Sequence, residues 1–360
     1  MKALVTGGYF DDGGDGVVWL VDLAAERADV FLRWAPPAHL HVPTKGFAGG
    51  SLADDGALYV AAHAAVVRID TQRAAVTGVL HQPCMNDLHD VTVRGERLYA
   101  SNTGLGAVDV LGLDGRFHGS YALLPAWANS RRIAGEDPPS SNPPVQLSWD
   151  GRSPAPWPDG GADDGYYSSD RRSASFHQLK VPDYLHVNHV AFVGERLLAT
   201  CFADGTLRDL HTFEVAARLP GMFLHDGAAH ADGLWLTAID GTVMELDATT
   251  LRERRRLAIF ETGYYGWCRG LAVTDRHLLV GLTEVRRGRL PRHRWADRGP
   301  EGSETSVLLL DRADGRLLAR VGLTDGARHS KIYGIIPTPS HGLHSLVGVA
   351  AQVHPEEQDR

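Results

Sequence analysis

Short apolar strands separated by turn residues recur along this chain in related units, and no other feature of the sequence constrains the fold as strongly. Each unit enters from a polar motif, makes a tight turn, continues into a strand rich in Leu, Tyr and Val, and closes with a third strand ending near Asp. The units read GGSLADDGALYVAAHAAVVRID (49–70), HDVTVRGERLYASNTGLGAVDVLGLDG (89–115), NHVAFVGERLLATCFADGTLRDL (188–210) and HDGAAHADGLWLTAIDGTVMELD (225–247). A fifth, RGLAVTDRHLLVGLTE (269–284), resumes at SVLLLD (306–311) after an interruption. Alternating residues and Asp-Gly turns argue for strands rather than helices.

A sixth unit requires both chain ends. YGIIPTP (333–339) supplies a first strand, and KALVTGGYF (2–10) and GVVWLVDL (16–23) supply the second and third. Closure of that kind removes the open sheet edges that invite aggregation. The expected fold is therefore all-β, a single β-propeller over residues 1–360 with six blades, closed by pairing of N- and C-terminal strands. A seventh blade within residues 126–178 is the alternative. The 40 glycines of the 360-residue chain suit the many tight turns this requires.

Two stretches break the rhythm, 126–178 and 286–304. One joins units two and three; the other joins the second and third strands of unit five. In a propeller both connections lie on the face where innermost strands begin, so both insertions are expected over that mouth of the central channel.

Aligning the units by turn and following Leu puts His89, Asn188, His225, Arg269 and Tyr333 at one equivalent position just before the innermost strand. The next position holds Asp90, His189, Asp226, Gly270 and Gly334. In a regular strand only one of these two sets faces the axis. His186, two residues before Asn188, joins His89, Asn188, His225 and Arg269 in the axial set, with Tyr333 and Lys45 or His41 at the rim.

Imidazoles arriving from different blades can hold a divalent transition metal such as Fe, Zn, Cu or Ni, and His89, His186, His225, His189 and His41 are the candidate ligands. Asp87, Asp90 and Asp226 are placed to orient them. Arg269, His186, Asp226 and Tyr333 are the candidate catalytic residues, with Arg269 holding a carboxylate, phosphate or sulfate. Without a metal, the same imidazoles with Arg269 and Lys45 make an anion pocket with a general acid/base or nucleophile. A third reading is an interaction scaffold, in which His-Asp pairs merely tie blades together. The other histidines, His63 among them, fall in turns or outer strands and read as structural.

The segments YLHVNHVAF and LHDGAAHADGLWL resemble arylsulfate sulfotransferase-like propellers, which carry Leu-His-x-Asn and His-Asp at the starts of innermost strands. Asn86 to Asp90, Asn-Asp-Leu-His-Asp, followed by Asn102-Thr103, is similar to an uncharacterised bacterial propeller group. The resemblance spans units two to four. It implies channel histidines and an arginine that bind sulfate, a histidine that takes the sulfuryl group, and an anion-binding role for His186 and His225. The secretion signal common in that family is not seen here.

The net charge of -8 and pI near 6.1 supply no basic surface for a nucleic-acid backbone. The opening Met1-Lys2-Ala3-Leu4-Val5 is too short an apolar run for a signal peptide, and nowhere do 18 apolar residues stand together. A cytoplasmic protein with a small, anionic substrate and no membrane partner is expected. Cys84, Cys201 and Cys268 are too scattered for a disulfide framework or a thiolate zinc site and read as buried thiols.

Overall fold

The computed structural model describes residues 1–10, 14–42, 45–82, 85–123, 146–147, 185–286, 302–323 and 328–338. The first blade contains β1 (Lys2–Tyr9), β2 (Gly16–Asp22) and β3 (Arg27–Trp34). The second contains β4 (Gly50–Leu52), β5 (Leu58–Ala61), β6 (Val66–Asp70) and β7 (Ala75–Leu80). The third runs through β8 (Leu88–Arg94), β9 (Arg97–Asn102), β10 (Ala107–Gly112) and β11 (Phe117–Ala122), with β12 (Gln146–Leu147) added outside β11. The fourth is β13 (Val187–Val193), β14 (Arg196–Cys201), β15 (Thr206–Asp209) and β16 (Val215–Arg218). The fifth is β17 (Leu224–His230), β18 (Gly233–Ala238), β19 (Thr242–Asp247) and β20 (Glu253–Ala258). The sixth is β21 (Trp267–Val273), β22 (His277–Thr283), β23 (Ser306–Asp311) and β24 (Leu317–Gly322). The last strand, β25 (Ser330–Pro337), returns to the first blade and lies inside β1, giving the order β25-β1-β2-β3.

The fold is a six-bladed β-propeller, as the repeat implies, and residues 126–178 contribute no seventh blade among the described residues. The innermost strands β25, β4, β8, β13, β17 and β21 neighbour one another in a closed ring. Closure pairs Ala3 with Pro337 and Val5 with Ile335. Each blade also has a fourth, outer strand that the three-strand repeat does not capture. These outer strands are half exposed and weakly apolar, as in Glu253–Ala258 (ERRRLA), so they carry little hydrophobic signal.

The core lies between blades rather than at one centre. Leu4, Val18, Leu58 and Val67 fill the first interface, and Tyr59, Val91 and Leu98 the second. Val108, Val190 and Leu197 fill the third, and Leu198, Leu234 and Met244 the fourth. Trp235, Leu278 and Leu308 pack the fifth, and Val5, Trp19, Leu279 and Val307 the sixth. Every blade is thereby apolar on both faces, which explains second and third strands that are buried almost throughout.

Threonine hydroxyls on or just beyond second strands stitch four of the six blade junctions. Thr6 donates to the Ala48 carbonyl, Thr103 to Val187, Thr200 to His225 and Thr283 to Ile332. Thr283 also accepts from the Ile332 amide at 2.9 Å. Most of the two insertions, 126–178 and 286–304, lies outside the described residues.

Thr283→Val removes both partners of the Ile332 peptide in a buried interface. Leaving those groups unsatisfied is expected to cost about 1–3 kcal/mol, read as a lower urea midpoint at unchanged m-value.

Candidate functional site

The residues aligned by the repeat all fall on breaks in strand register. Pairing between first and second strands shifts between Leu88 and Val91, between Val187 and His189, between Leu224 and Gly227, and between Cys268 and Leu271. In the closing blade the shift skips Tyr333, between Ile332 and Gly334. A bulge removes the strict in-out alternation and re-aims side chains. The strands are not regular at these positions, and residues of both aligned sets take part, at two levels.

The first level gathers His89, His186, His225, Arg269 and Tyr333. The His89 ring lies 4.7 Å from His186 and 6.1 Å from His225, centroid to centroid. Tyr333 stands 6.0 Å from His89 and 6.3 Å from His225. The Arg269 guanidinium carbon sits 4.7 Å over the Tyr333 ring and 5.9 Å from Trp267. His186 takes its place from a left-handed backbone, φ 50°, immediately before β13, and packs on Phe202.

His225 is the most firmly oriented of the imidazoles. Its Nδ1 lies 2.8 Å from Asp226 Oδ2, and that same oxygen accepts from the Gly270 amide at 2.5 Å. The carboxylate fixes the tautomer with hydrogen on Nδ1, leaving the Nε2 lone pair toward the cluster. Nε2 is buried and carries no hydrogen bond, and the same holds for His89 Nδ1 and Arg269 Nε. Burial pulls the His225 pKa down against the counteracting charge of Asp226, so the ring is neutral. Burial likewise brings His89 down to about 3, with Asp87 only partly opposing it.

At the rim Asp87, also left-handed at φ 51°, collects three groups on Oδ1: the Lys45 ammonium, His63 Nδ1 at 3.5 Å and His89 Nε2 at 3.6 Å. Burial alone would raise the Asp87 pKa, but Lys45 and the two imidazoles hold it well below the usual carboxylate range. Lys331, 2% exposed, reaches the Lys45 carbonyl at 3.4 Å and lies 5.6 Å from the Phe10 ring centroid. Burial would raise the Tyr333 phenol as well, yet the nearby cations Arg269, Lys331 and Lys45 bring it down to about 7.

The second level lies deeper along the strands. His189 Nδ1 meets Asp90 Oδ2 at 2.7 Å, and the Asp90 and Asp226 charges outweigh burial to keep His189 above the ordinary imidazole range. His189 is thus a member of a separate ion pair, not of the first-level cluster. His41 stands near Gly14, in the segment joining β1 and β2, where its Nε2 lies 3.6 Å from the position a Gly14 Cβ would take. Asn188 is turned from the axis: its amide donates to the Leu224 carbonyl at 2.9 Å and ties the fourth blade to the fifth.

Among the described residues no three of His, Cys, Asp and Glu stand where they hold one metal ion. The His89 and His186 rings meet edge to face at 85°, and Asp226 holds His225 by Nδ1 with Nε2 left without a hydrogen bond. His189 and His41, the remaining candidate ligands, belong to other surroundings. Burial pushes the Cys201 thiol up to about 12 and Cys268 well above the usual range, so neither is a reactive thiolate.

Two contributors escape the repeat. His63 follows the second strand of its blade, where the third and sixth blades have Thr103 and Thr283, and that alignment is the signal that marks it as facing the mouth. Lys331 precedes the aligned Tyr333 by two residues, ahead of the strand that the repeat marks.

No family model matches this chain, and no curated protein matches it. Among solved structures it is similar to a protein of unknown function from Bacteroides caccae, at 9% identity and TM-score 0.56, covering 93% of this chain and 97% of that one. It is also similar to the WD40 domain of Neurospora crassa Pan2, at 9% identity and TM-score 0.42 over 77% and 66% of the two chains. The WD40 propeller domain of Doa1 matches at 11% identity and TM-score 0.46, over 92% and 81%. At 9% identity the likeness to the Bacteroides caccae protein speaks for the fold alone.

With the phenol near 7, phenolate absorbance is expected to grow as pH rises between about 6 and 8, well below the ordinary tyrosine range. Ultraviolet difference titration checks this, and Tyr333→Phe removes the early transition. Gly281 lines the bulge in β21, where a Cβ would stand 2.2 Å from the Arg269 carbonyl oxygen. Gly281→Ala is expected to displace that peptide and lower the thermal midpoint, as overpacking costs about 1–3 kcal/mol.

Proposed function

We propose that the first mouth is the active site of an enzyme acting on a small anionic molecule, with the chemistry supplied by side chains rather than by a histidine-bound metal. The observation that carries this reading is Arg269. Its guanidinium is held against Tyr333 and Trp267, forms no ion pair among the described residues, and has a buried Nε with no hydrogen bond. The side chain is part buried, and a charged group with a buried, unpartnered N–H and no counter-charge is costly; an anionic ligand offsets that cost while gaining charge-assisted hydrogen bonds.

In this reading Arg269 takes the anionic group, with Lys45 and Lys331 adding positive potential. His225 Nε2, backed by Asp226, accepts a proton from the substrate or attacks the group being transferred. Tyr333 stands within the same cluster to exchange a proton with the leaving or developing oxygen. The sulfotransferase-like resemblance agrees with the anion and with a histidine in the lead role, and His225 is the residue best built for it. The reading treats His186 and Phe202 as a wall of the pocket.

Calorimetric titration of the full chain with sodium sulfate and sodium phosphate tests this. Binding of either anion that weakens by about tenfold or more in Arg269→Gln, the loss of one charged hydrogen-bond partner, is the expected result. Anion binding unaffected by Arg269→Gln contradicts it. So does stoichiometric metal in protein purified without a tag that is lost in His89→Ala and His225→Ala.

A further inference from the structure

The first mouth offers a ligand more than a cation. Two ring nitrogens of its cluster, His89 Nδ1 and His225 Nε2, are buried without a hydrogen-bond partner among the described residues, on side chains whose residues are 8% and 2% exposed. Each ring faces a carboxylate with its other nitrogen: Asp226 Oδ2 lies 2.8 Å from His225 Nδ1, and Asp87 Oδ1 3.6 Å from His89 Nε2. The two imidazoles come from blades three and five with centroids 6.1 Å apart, and Tyr333 is 6.0 Å from one and 6.3 Å from the other. Arg269 covers the same phenol ring from blade six, its guanidinium carbon 4.7 Å from the centroid. One short ligand seated on Arg269 has both nitrogens within reach.

Polar atoms withdrawn from water are nearly always paired, so both nitrogens call for a partner. A sulfate or a carboxylate group only accepts hydrogen bonds: it satisfies Arg269 but gives nothing to an imidazole lone pair. A hydroxyl both donates and accepts, so it pairs with either ring nitrogen whether or not that nitrogen carries a hydrogen. The ligand that meets the whole cluster therefore has a charged group for Arg269 and two hydroxyls close to it, one for each imidazole.

We propose that the substrate of the first mouth is a short polyhydroxy anion, a hydroxy acid or a polyol phosphate, with neighbouring hydroxyls bound at His89 Nδ1 and His225 Nε2. This rests on the anion reading and deepens it: Arg269 holds the charge, and the hydroxyl at His225 Nε2 is the one whose proton that histidine is placed to take. An aliphatic anion of the same length leaves both nitrogens unpaired, and a site built to hydrogen-bond hydroxyls discriminates strongly against an analogue that lacks them.

Ligand-observed nuclear magnetic resonance on the full chain tests this with two matched pairs, glycerate against propionate and glycerol phosphate against propyl phosphate. Each pair shares a carbon chain and a charged group and differs only in two hydroxyls. In at least one pair the hydroxylated member is expected to bind about tenfold or more tightly than its partner, and the pair that does so tells carboxylate from phosphate. Arg269→Gln is expected to weaken both members of that pair alike. His89→Leu and His225→Leu fill similar space without a hydrogen-bonding atom, and each is expected to reduce the preference by about threefold or more. The proposal is overturned if neither pair shows the preference on the native protein, or if the preference survives both histidine substitutions. Sulfate binding that depends on Arg269, with no preference for hydroxyls, removes this inference and leaves the anion reading standing; absence of sulfate and phosphate binding removes both.

Discussion

Pairing of the last strand with the first is the interaction on which the rest depends. β25 enters the first blade inside β1, and until it does so the ring of innermost strands lacks one member. The same strand carries Tyr333 and Lys331 into the mouth, where they meet Arg269, His89, His225 and Lys45 from other blades. Closure therefore completes the core and the site in one step. An open chain keeps five blades but loses the phenol at the centre of the cluster.

Bulged register in the innermost strands is the second determinant. A regular strand would send His225 and Asp226 to opposite faces, yet here the carboxylate reaches back to the neighbouring Nδ1 and across to the Gly270 amide. Each such dislocation exposes backbone groups that something else must satisfy. The threonines at second-strand ends do so, as with Thr200, which accepts from the His189 amide and donates to the His225 carbonyl. The stitches that hold blades together are also what allow the strands to be irregular where the polar residues lie.

Much of this was legible in the sequence because the propeller repeats its own pattern. The unit spacing gave six blades and terminal closure, and the shared position before each innermost strand named His89, His225, Arg269 and Tyr333 together. What stayed hidden were geometric consequences without a local signature. The bulges cannot be read from alternation, so the sequence offered His-Asp pairing without saying which carboxylate meets which imidazole: Asp226 holds its neighbour His225, whereas Asp90 reaches His189 of the next blade. The outer strands are too polar to stand out. His189 carries the same residue type as the first-level histidines but sits one position later, which places it in the Asp90 pair. The expectation of a metal followed from the histidines that different blades bring to one mouth; how their rings are oriented is a matter of packing.

In the proposed site Arg269, Tyr333 and His225 surround a bound anion. The phenol reports on this directly, because the cations that lower its pKa are those that would bind the ligand. Following its ultraviolet titration with and without sodium sulfate, at matched ionic strength, is the most direct measurement. A bound anion neutralises those cations, so sulfate is expected to move the Tyr333 midpoint upward from about 7 toward the ordinary tyrosine range. A midpoint that sulfate and phosphate both leave in place would contradict the account.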